Sequence, residues 1–433
     1  MTDLPKERLG LRQALAPFAL KPFRILWAGQ AISAAGNAMT RIALIFAVLA
    51  IGGSVADIGL VMAAQVGTQV IFTLAGGVWA DRLRRHMVML ASDVIRAAVQ
   101  AILAVLVMTG NAHIWHLAAG AAIFGAAQAF FGPASSGLIA EIVPPEQLQR
   151  ANALLSFSFS FFSVVGPATA GLAIALVGPS LVLAIDAVTF LLNAVALARL
   201  KLAPRKVSAN GTFWADLREG WTEMTSRRWL YLTLLAHMMQ NLAVVAYFVL
   251  GPAIADKSLG GPSSWGLIAA GYAAGAIVGG LVALRLSPAR PLVAGNLAFA
   301  LTALPLLALA VPLPLWMIVI AAFVANMGGM FLDALWRASL QNLIPGQVLS
   351  RVDSYDWLIS TIAAPIGLAV VGPIAEATSE RSTLIVAAAL IVVPLSLTVL
   401  IPGVRQIRRL PDGKIVGPGR DSVAEPEPQP AAN

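Results

Sequence analysis

Cysteine is absent, so disulfides and thiolate metal sites are excluded at once. Histidine is nearly as scarce, and its four copies, His86, His113, His116 and His237, are too scattered to form a ligand cluster. Neither HExxH nor GxSxG occurs, which removes the commonest signatures of zinc and serine hydrolases. No cofactor or metal is therefore expected, and the chain does not read as an enzyme. Charge is the third shortage. Charged residues make up 12% of the 433 and apolar ones 58%, and a soluble globule of that composition lacks the polar surface to cover itself.

What fills the sequence instead is long apolar runs. A bilayer core of roughly 30 Å is crossed by about 20 apolar residues in a helix, and such runs recur at 23–50, 57–80, 86–109, 115–140, 152–177 and 180–200, then at 229–253, 264–286, 291–311, 313–337, 354–376 and 382–402. The expected fold is an all-α membrane protein of twelve transmembrane helices in two six-helix halves. The expected parts are an N-terminal segment, 1–22, the first half, 23–200, a charged linker, 201–228, the second half, 229–402, and a disordered tail, 403–433, that ends in the acidic, Pro-rich AEPEPQPAAN. The opening MTDLPKERLG is polar, the wrong pattern for a cleaved signal peptide.

The formal charge of +8 would point to nucleic acid in a soluble protein, but here the basic residues flank helices. Of the 29 Lys and Arg, only Lys257 and Arg381 fall in loops on one face and Arg41 and Arg96 inside spans; the rest collect on the face that holds both termini. By the positive-inside rule that face is cytoplasmic. The expected partners are membrane lipid and a small-molecule substrate, with no nucleic acid, and the chain is expected to act as a monomer.

An internal repeat supports the division into halves. One offset lays IAEIVPPEQLQRAN on LQNLIPGQVLSRVD, with Pro144 on Pro345, Leu148 on Leu349 and Arg150 on Arg351. A second lays Gly76-Gly77 on Gly279-Gly280 and Arg82 on Arg285. Parallel halves related in this way hold substrate between them in many transporters.

The stretch Gly77-Val-Trp-Ala-Asp81-Arg82-Leu-Arg84-Arg85 resembles the G-x-L-a-D-R-x-G-R-R signature of the major facilitator superfamily, in the form found among drug and siderophore exporters such as macrolide-efflux and enterobactin-exporter proteins. Arg84 stands where the second glycine is usual, and Trp79 where leucine is. The resemblance implies a latch: Asp81 at a helix end faces the positive N-terminus of helix 11, while Arg82 and Arg85 carry its basic part, with Glu141 on helix 4 as the partner of Arg85. Val165-Gly166-Pro167-Ala-Thr-Ala-Gly171 resembles the G-P-x-x-G-G pattern of antiporters, although Ala170 replaces one glycine. Gly166, Pro167 and Gly171 would bend and thin helix 5 so that it packs on helix 8, whose own small face is Gly271, Gly275 and Gly279.

Charges inside spans are functional hypotheses by default. Asp93 and Arg96, three apart, and Asp333 and Arg337, four apart, can satisfy one another on their own helices and are read as structural pairs. Arg41 and Asp186 have no such neighbour and are the sharper candidates for handling substrate or proton, with Asn37, Gln128 and Gln240 as further cavity residues. Family resemblance and site together imply export of a bulky, partly apolar molecule by alternating access, driven by protons, across a bacterial inner membrane. A facilitator importing a sugar or lysophospholipid, or a non-transporting sensor of the same fold, would share these features.

Overall fold

The computed structural model describes residues 15–82, 84–200, 221–222, 224–311, 313–344 and 346–418. It is α-helical apart from one short hairpin. The long helices are α1 (Lys21–Ala50), α2 (Val55–Arg82), α3 (Arg85–Met108) and α4 (Ile114–Ile142), followed by a 51-residue helical stretch, Leu148–Ala198. At about 1.5 Å per residue that stretch is more than twice as long as a bilayer core is thick. It is broken at Gly178, where φ is 80° and ψ 165°, a conformation open to glycine, and Pro179 follows. We number its parts α5 (148–177) and α6 (179–198). Then come α7 (Arg228–Ser258), α8 (Pro262–Arg285), α9 (Pro291–Ala310, with a 3-10 turn at Ala300–Ala303), α10 (Leu315–Leu343), α11 (Gly346–Ala377) and α12 (Glu380–Thr398). Counted by continuous helix, 11 among the described residues are long and apolar enough to cross a membrane.

Several helices outrun their apolar windows. α10 continues to Leu343, past the expected end at 337, because Leu340 and Leu343 bury themselves with Trp229, Leu230 and Ile344 in the core of the second half. Hydropathy measures the length that crosses lipid; a helix goes on as long as one face finds a partner. In the first half, Phe23 and Leu26 of α1, Met89 of α3 and Leu138 of α4 form the matching core.

The tail differs from expectation. Pro402–Gln406 form a short helix, α13, and Arg408–Arg409 (β1) pair antiparallel with Ile415–Val416 (β2). Val404, Ile407 and Ile415 are buried in the same cluster as Trp229 and Leu343. The Arg409 N–H donates to the Ala289 carbonyl at 2.9 Å, and the Ile415 N–H to Asn342 Oδ1 at 3.3 Å. Apolar side chains spaced to one side of a Pro-Asp-Gly turn make this stretch a docked hairpin rather than a disordered tail. The acidic end, 419–433, lies outside the described residues, as does most of the linker, 201–220.

The chain divides into two compact units. One is Met1–Asn210 with Val245–Gly271 and Ala364–Thr383; the other is Gly211–Val244, Tyr272–Ala363 and Leu384–Asn433. The end of α7, the start of α8 and the end of α11 thus pack with the first half. Within this unit α5 meets α8: a Cβ at Gly171 would lie 2.4 Å from the Pro262 carbonyl oxygen, and one at Gly266 2.6 Å from that of Pro167. Gly166 faces Ala38 of α1. The expected role for the Gly275 and Gly279 face of α8 is corrected, because in the second unit these glycines lie against the carbonyls of Phe323 and Met327 on α10.

Candidate functional site

The richest polar cluster among the described residues lies inside the first half. On α3, Asp93, Arg96 and Gln100 follow at three- and four-residue steps, which puts them on one face. That face is otherwise the buried stripe Val88, Met89, Ser92, Ala97, Leu103 and Ala104. On α6, Asp186, Thr189 and Asn193 repeat the same spacing. α1 meets them with Gly29, Gly36 and Thr40. A Cβ at Gly36 would stand 2.2 Å from Thr189 Oγ1 and 2.5 Å from Asp186 Oδ1, and one at Gly29 2.2 Å from Asn193 Oδ1. Only glycine leaves room for the polar side chains of α6 here.

The contacts form two groups, side by side on the same faces of α3 and α6. The Asp93 carboxylate pairs with the Arg96 guanidinium through Oδ1 and accepts from Asn193 Nδ2 at 2.8 Å through Oδ2. Arg96 also donates to Gln128 Oε1 of α4 at 3.2 Å, and its guanidinium lies 4.3 Å from the ring centre of Phe190 and 4.5 Å from that of Phe131. Asp186 accepts from the Thr40 hydroxyl and from Gln100 Nε2, the latter at 2.8 Å, and Gln100 also donates to Thr40 Oγ1 at 3.3 Å. Thr189 Oγ1 lies 3.3 Å from the second Asp186 oxygen. Asp93, Asp186 and Asn193 are 0% exposed and Arg96 is 3%.

This arrangement redraws the expected division of labour. Asp93 and Arg96 are indeed neighbours, but they are not an isolated pair: Asn193 of α6 and Gln128 of α4 hold them, and the Asp186 group uses the same faces of α3 and α6. Gln128, expected in a cavity, holds Arg96. Arg41 is exposed, one residue beyond Thr40, and Asn37 is half-buried. Gln240 belongs to the second half, where its Nε2 donates to Thr302 Oγ1 at 3.3 Å. Asp333 and Arg337 pair at 2.9 Å on α10, but on an exposed surface, 41% and 71% exposed, so they carry little of the burden of a buried pair. Reading charges alone missed Thr40, Gln100, Thr189 and Asn193. The spacing from Asp93 and Asp186 is the signal that finds Gln100, Thr189 and Asn193; Thr40, on α1, has no such signal.

At the signature loop, Arg85 Nη1 lies 3.3 Å from Glu141 Oε1. The guanidinium crosses α4 at Gly137, where a Cβ would sit 2.0 Å from Arg85 Cζ. The side chains of Gly77, Asp81 and Arg82, and those at the start of α11, lie outside the described residues.

Chemically, the two groups hold two carboxyls and one guanidinium out of contact with solvent, and burying an unpaired charge is expensive. Asp93 has Arg96 beside it, whereas Asp186 accepts from the neutral donors Thr40, Gln100 and Thr189.

Residues 26–368 match the family model of the Major Facilitator Superfamily. Macrolide efflux protein A of Streptococcus pyogenes is 24% identical over 395 residues, covering 90% of this chain and 97% of that protein. The multidrug efflux pump Tap of Mycolicibacterium fortuitum is 27% identical over 390 residues, 85% of this chain and 91% of its own length. Among solved structures, a bacterial homologue of the human lysosomal transporter Spinster, inward-facing and unoccupied, superposes with a TM-score of 0.70 at 14% identity, covering 88% of this chain and 97% of that one. The nucleoside transporter NupG superposes with a TM-score of 0.68 at 14% identity, over 88% and 99%. With the family model spanning most of the sequence and the fold shared along nearly the whole of these transporters, the chain belongs to the major facilitator superfamily, a multi-pass membrane transporter of the alternating-access type and not an enzyme.

Proposed function

We propose that the protein exports a bulky, partly apolar small molecule from a bacterial cell in exchange for protons, with twelve crossings in two related six-helix halves and both termini in the cytoplasm. The observation that carries the coupling is the buried acid network. A carboxylate at Asp186 accepts from Thr40, Gln100 and Thr189, which tie α1, α3 and α6 together. A proton on Asp186 turns one of those acceptors into a donor, so the Thr40–Gln100 triangle must rearrange and the three helices are released from one another. With one proton aboard, two carboxyls and one guanidinium are neutral overall; without it the network carries one negative charge. Proton entry and helix packing are thereby the same event.

Export is supported by the two efflux proteins that align with most of this chain, and by Gly171 and Gly266, which allow α5 and α8 to touch backbone to backbone. Arg85, Glu141 and Asp81 serve as the latch on the cytoplasmic side.

The test is accumulation of a radiolabelled macrolide in cells stripped of their own efflux pumps. Cells expressing the protein accumulate less than vector controls, and an uncoupler abolishes the difference. Asp186→Asn, checked for an equal amount in the membrane, accumulates like the control. If it exports like wild type, the proton role is wrong; if wild-type cells exclude none of a panel of macrolides and apolar dyes, or concentrate label, the export reading is wrong. Asp81→Asn cuts efflux without loss of insertion, and full transport by that variant ends the latch proposal.

A further inference from the structure

α2 begins at a tight turn, and its first N–H groups need acceptors. Most are met locally. Ser54 and Asp57 form a reciprocal cap, in which the Asp57 N–H donates to Ser54 Oγ at 3.3 Å and the Ser54 N–H to Asp57 Oδ2 at 2.8 Å. The Ile58 N–H donates to the Ser54 carbonyl at 3.2 Å. The Ala56 N–H is met from elsewhere in the chain: it donates to Glu376 Oε1, at 3.0 Å, from the end of α11. A carboxylate supplied by the second half of the sequence thus caps a helix of the first.

The two helices are shaped for this contact. A Cβ on Gly372 would lie 2.4 Å from Ala56 Cα, and one on Gly59 2.3 Å from the Leu368 carbonyl oxygen. Glycine at both places lets the backbones touch, and the touch sets Glu376 over the Ala56 N–H. All these residues belong to one compact unit and lie at the end of the helices, the face where α1 passes into α2 and α11 into α12.

We infer that Glu376 is the clasp of this face: in the transport cycle the α2–α11 contact must part for the face to open, and the carboxylate on the α2 N-terminus sets how readily it does so. The bond suits a reversible clasp. Both partners are near solvent, so on opening the Ala56 N–H and the Glu376 carboxylate are taken up by water and neither is stranded. Its strength, that of an exposed cap on a helix dipole, shifts an equilibrium by about two- to fivefold. The nearby Lys257–Glu380 pair, 2.6 Å apart, joins α7 to α12, two helices of the same sequence half, and so does not clasp the halves. The inference rests on alternating access alone and holds for export or import.

The absence of cysteine makes the test direct. Spin labels on Asn111→Cys, after α3, and Arg381→Cys, after α11, report the separation of this face by pulsed electron resonance in the full chain in nanodiscs. Glu376→Ala raises the ratio of long to short distances about two- to fivefold. Gly372→Ala, which wedges the backbones apart, raises it further. Lys257→Ala leaves it within experimental scatter. A Glu376→Ala distribution equal to wild type overturns the inference, and so does a Lys257→Ala shift as large as that of Glu376→Ala, since any surface ion pair would then serve. Should Gly372→Ala fail to fold, the exposed Glu376 and Lys257 variants decide the matter alone.

Discussion

Shifted by the offset that lays Gly76-Gly77 on Gly279-Gly280, Asp93 falls on Asn296 and Arg96 on Phe299. Each half buries a polar group at this place. In the first half it is an acid paired with Arg96. In the second, Asn296 Oδ1 is hydrogen-bonded to the His237 ring at 3.0 Å, and His237 stacks edge-on to Phe299 at 5.4 Å and to Trp336 at 5.0 Å. Both arrangements bind the third helix of a half to its neighbours. Only the first half has a second buried carboxyl, Asp186, on the helix that carries Asn193. The brace stands in both halves and buried charge in one; on the proton-coupled export proposed above, the coupling chemistry belongs to α1, α3 and α6, with α7 and α9 as mechanical support.

The comparison can be broken at its strongest point first. Asp93→Ala leaves the Arg96 guanidinium buried without its carboxylate, and losing one partner of a buried pair is worth about 3–5 kcal/mol. Folded protein recovered in detergent, read by size-exclusion chromatography, should fall sharply. Copying the acid into the second half comes next. Asn296→Asp sets a carboxyl beside His237 with no guanidinium near, for a loss of about 2–3 kcal/mol in thermal unfolding, and adding Phe299→Arg should return part of it. If the double variant is worse than the single, the two positions are not equivalent.

Smaller effects sharpen the picture. Gly36→Ala drives a methyl into Thr189 and Asp186, and overpacking of this kind is worth about 1–3 kcal/mol. Gly280→Ala, where a Cβ meets nothing within 4 Å, should fall within about 0.5 kcal/mol of wild type. His237→Gln is the mildest of the core changes, about 1 kcal/mol for one neutral hydrogen bond, with transport retained. Loss of transport in that variant would give the second half a chemical part in the cycle.

The helices were legible because twenty apolar residues in a row have few other solutions, and Asp93, Arg96 and Asp186 because charge in such runs is conspicuous. The neutral members of the network were not. Gln100 and Asn193 resemble any amide of a membrane helix until Asp93-Arg96-Gln100 and Asp186-Thr189-Asn193 are seen to share a spacing, and Thr40, alone on α1, stays hidden even then. Glu376 was hidden for another reason: its partner is a backbone N–H, which every residue but proline carries. The tail hairpin was readable in Pro411-Asp412-Gly413 between Ile407 and Ile415, but the acidic, Pro-rich end that follows it, AEPEPQPAAN, gives the whole tail the look of an unstructured segment.

That hairpin bears on how the protein is made. The inner core of the second half opens with Met224 and closes with Ile415, so it is complete only once residue 415 has left the ribosome. Until then Trp229, Leu343 and their neighbours present an uncovered apolar floor at the membrane edge, and the newborn chain depends at that moment on whatever shields it.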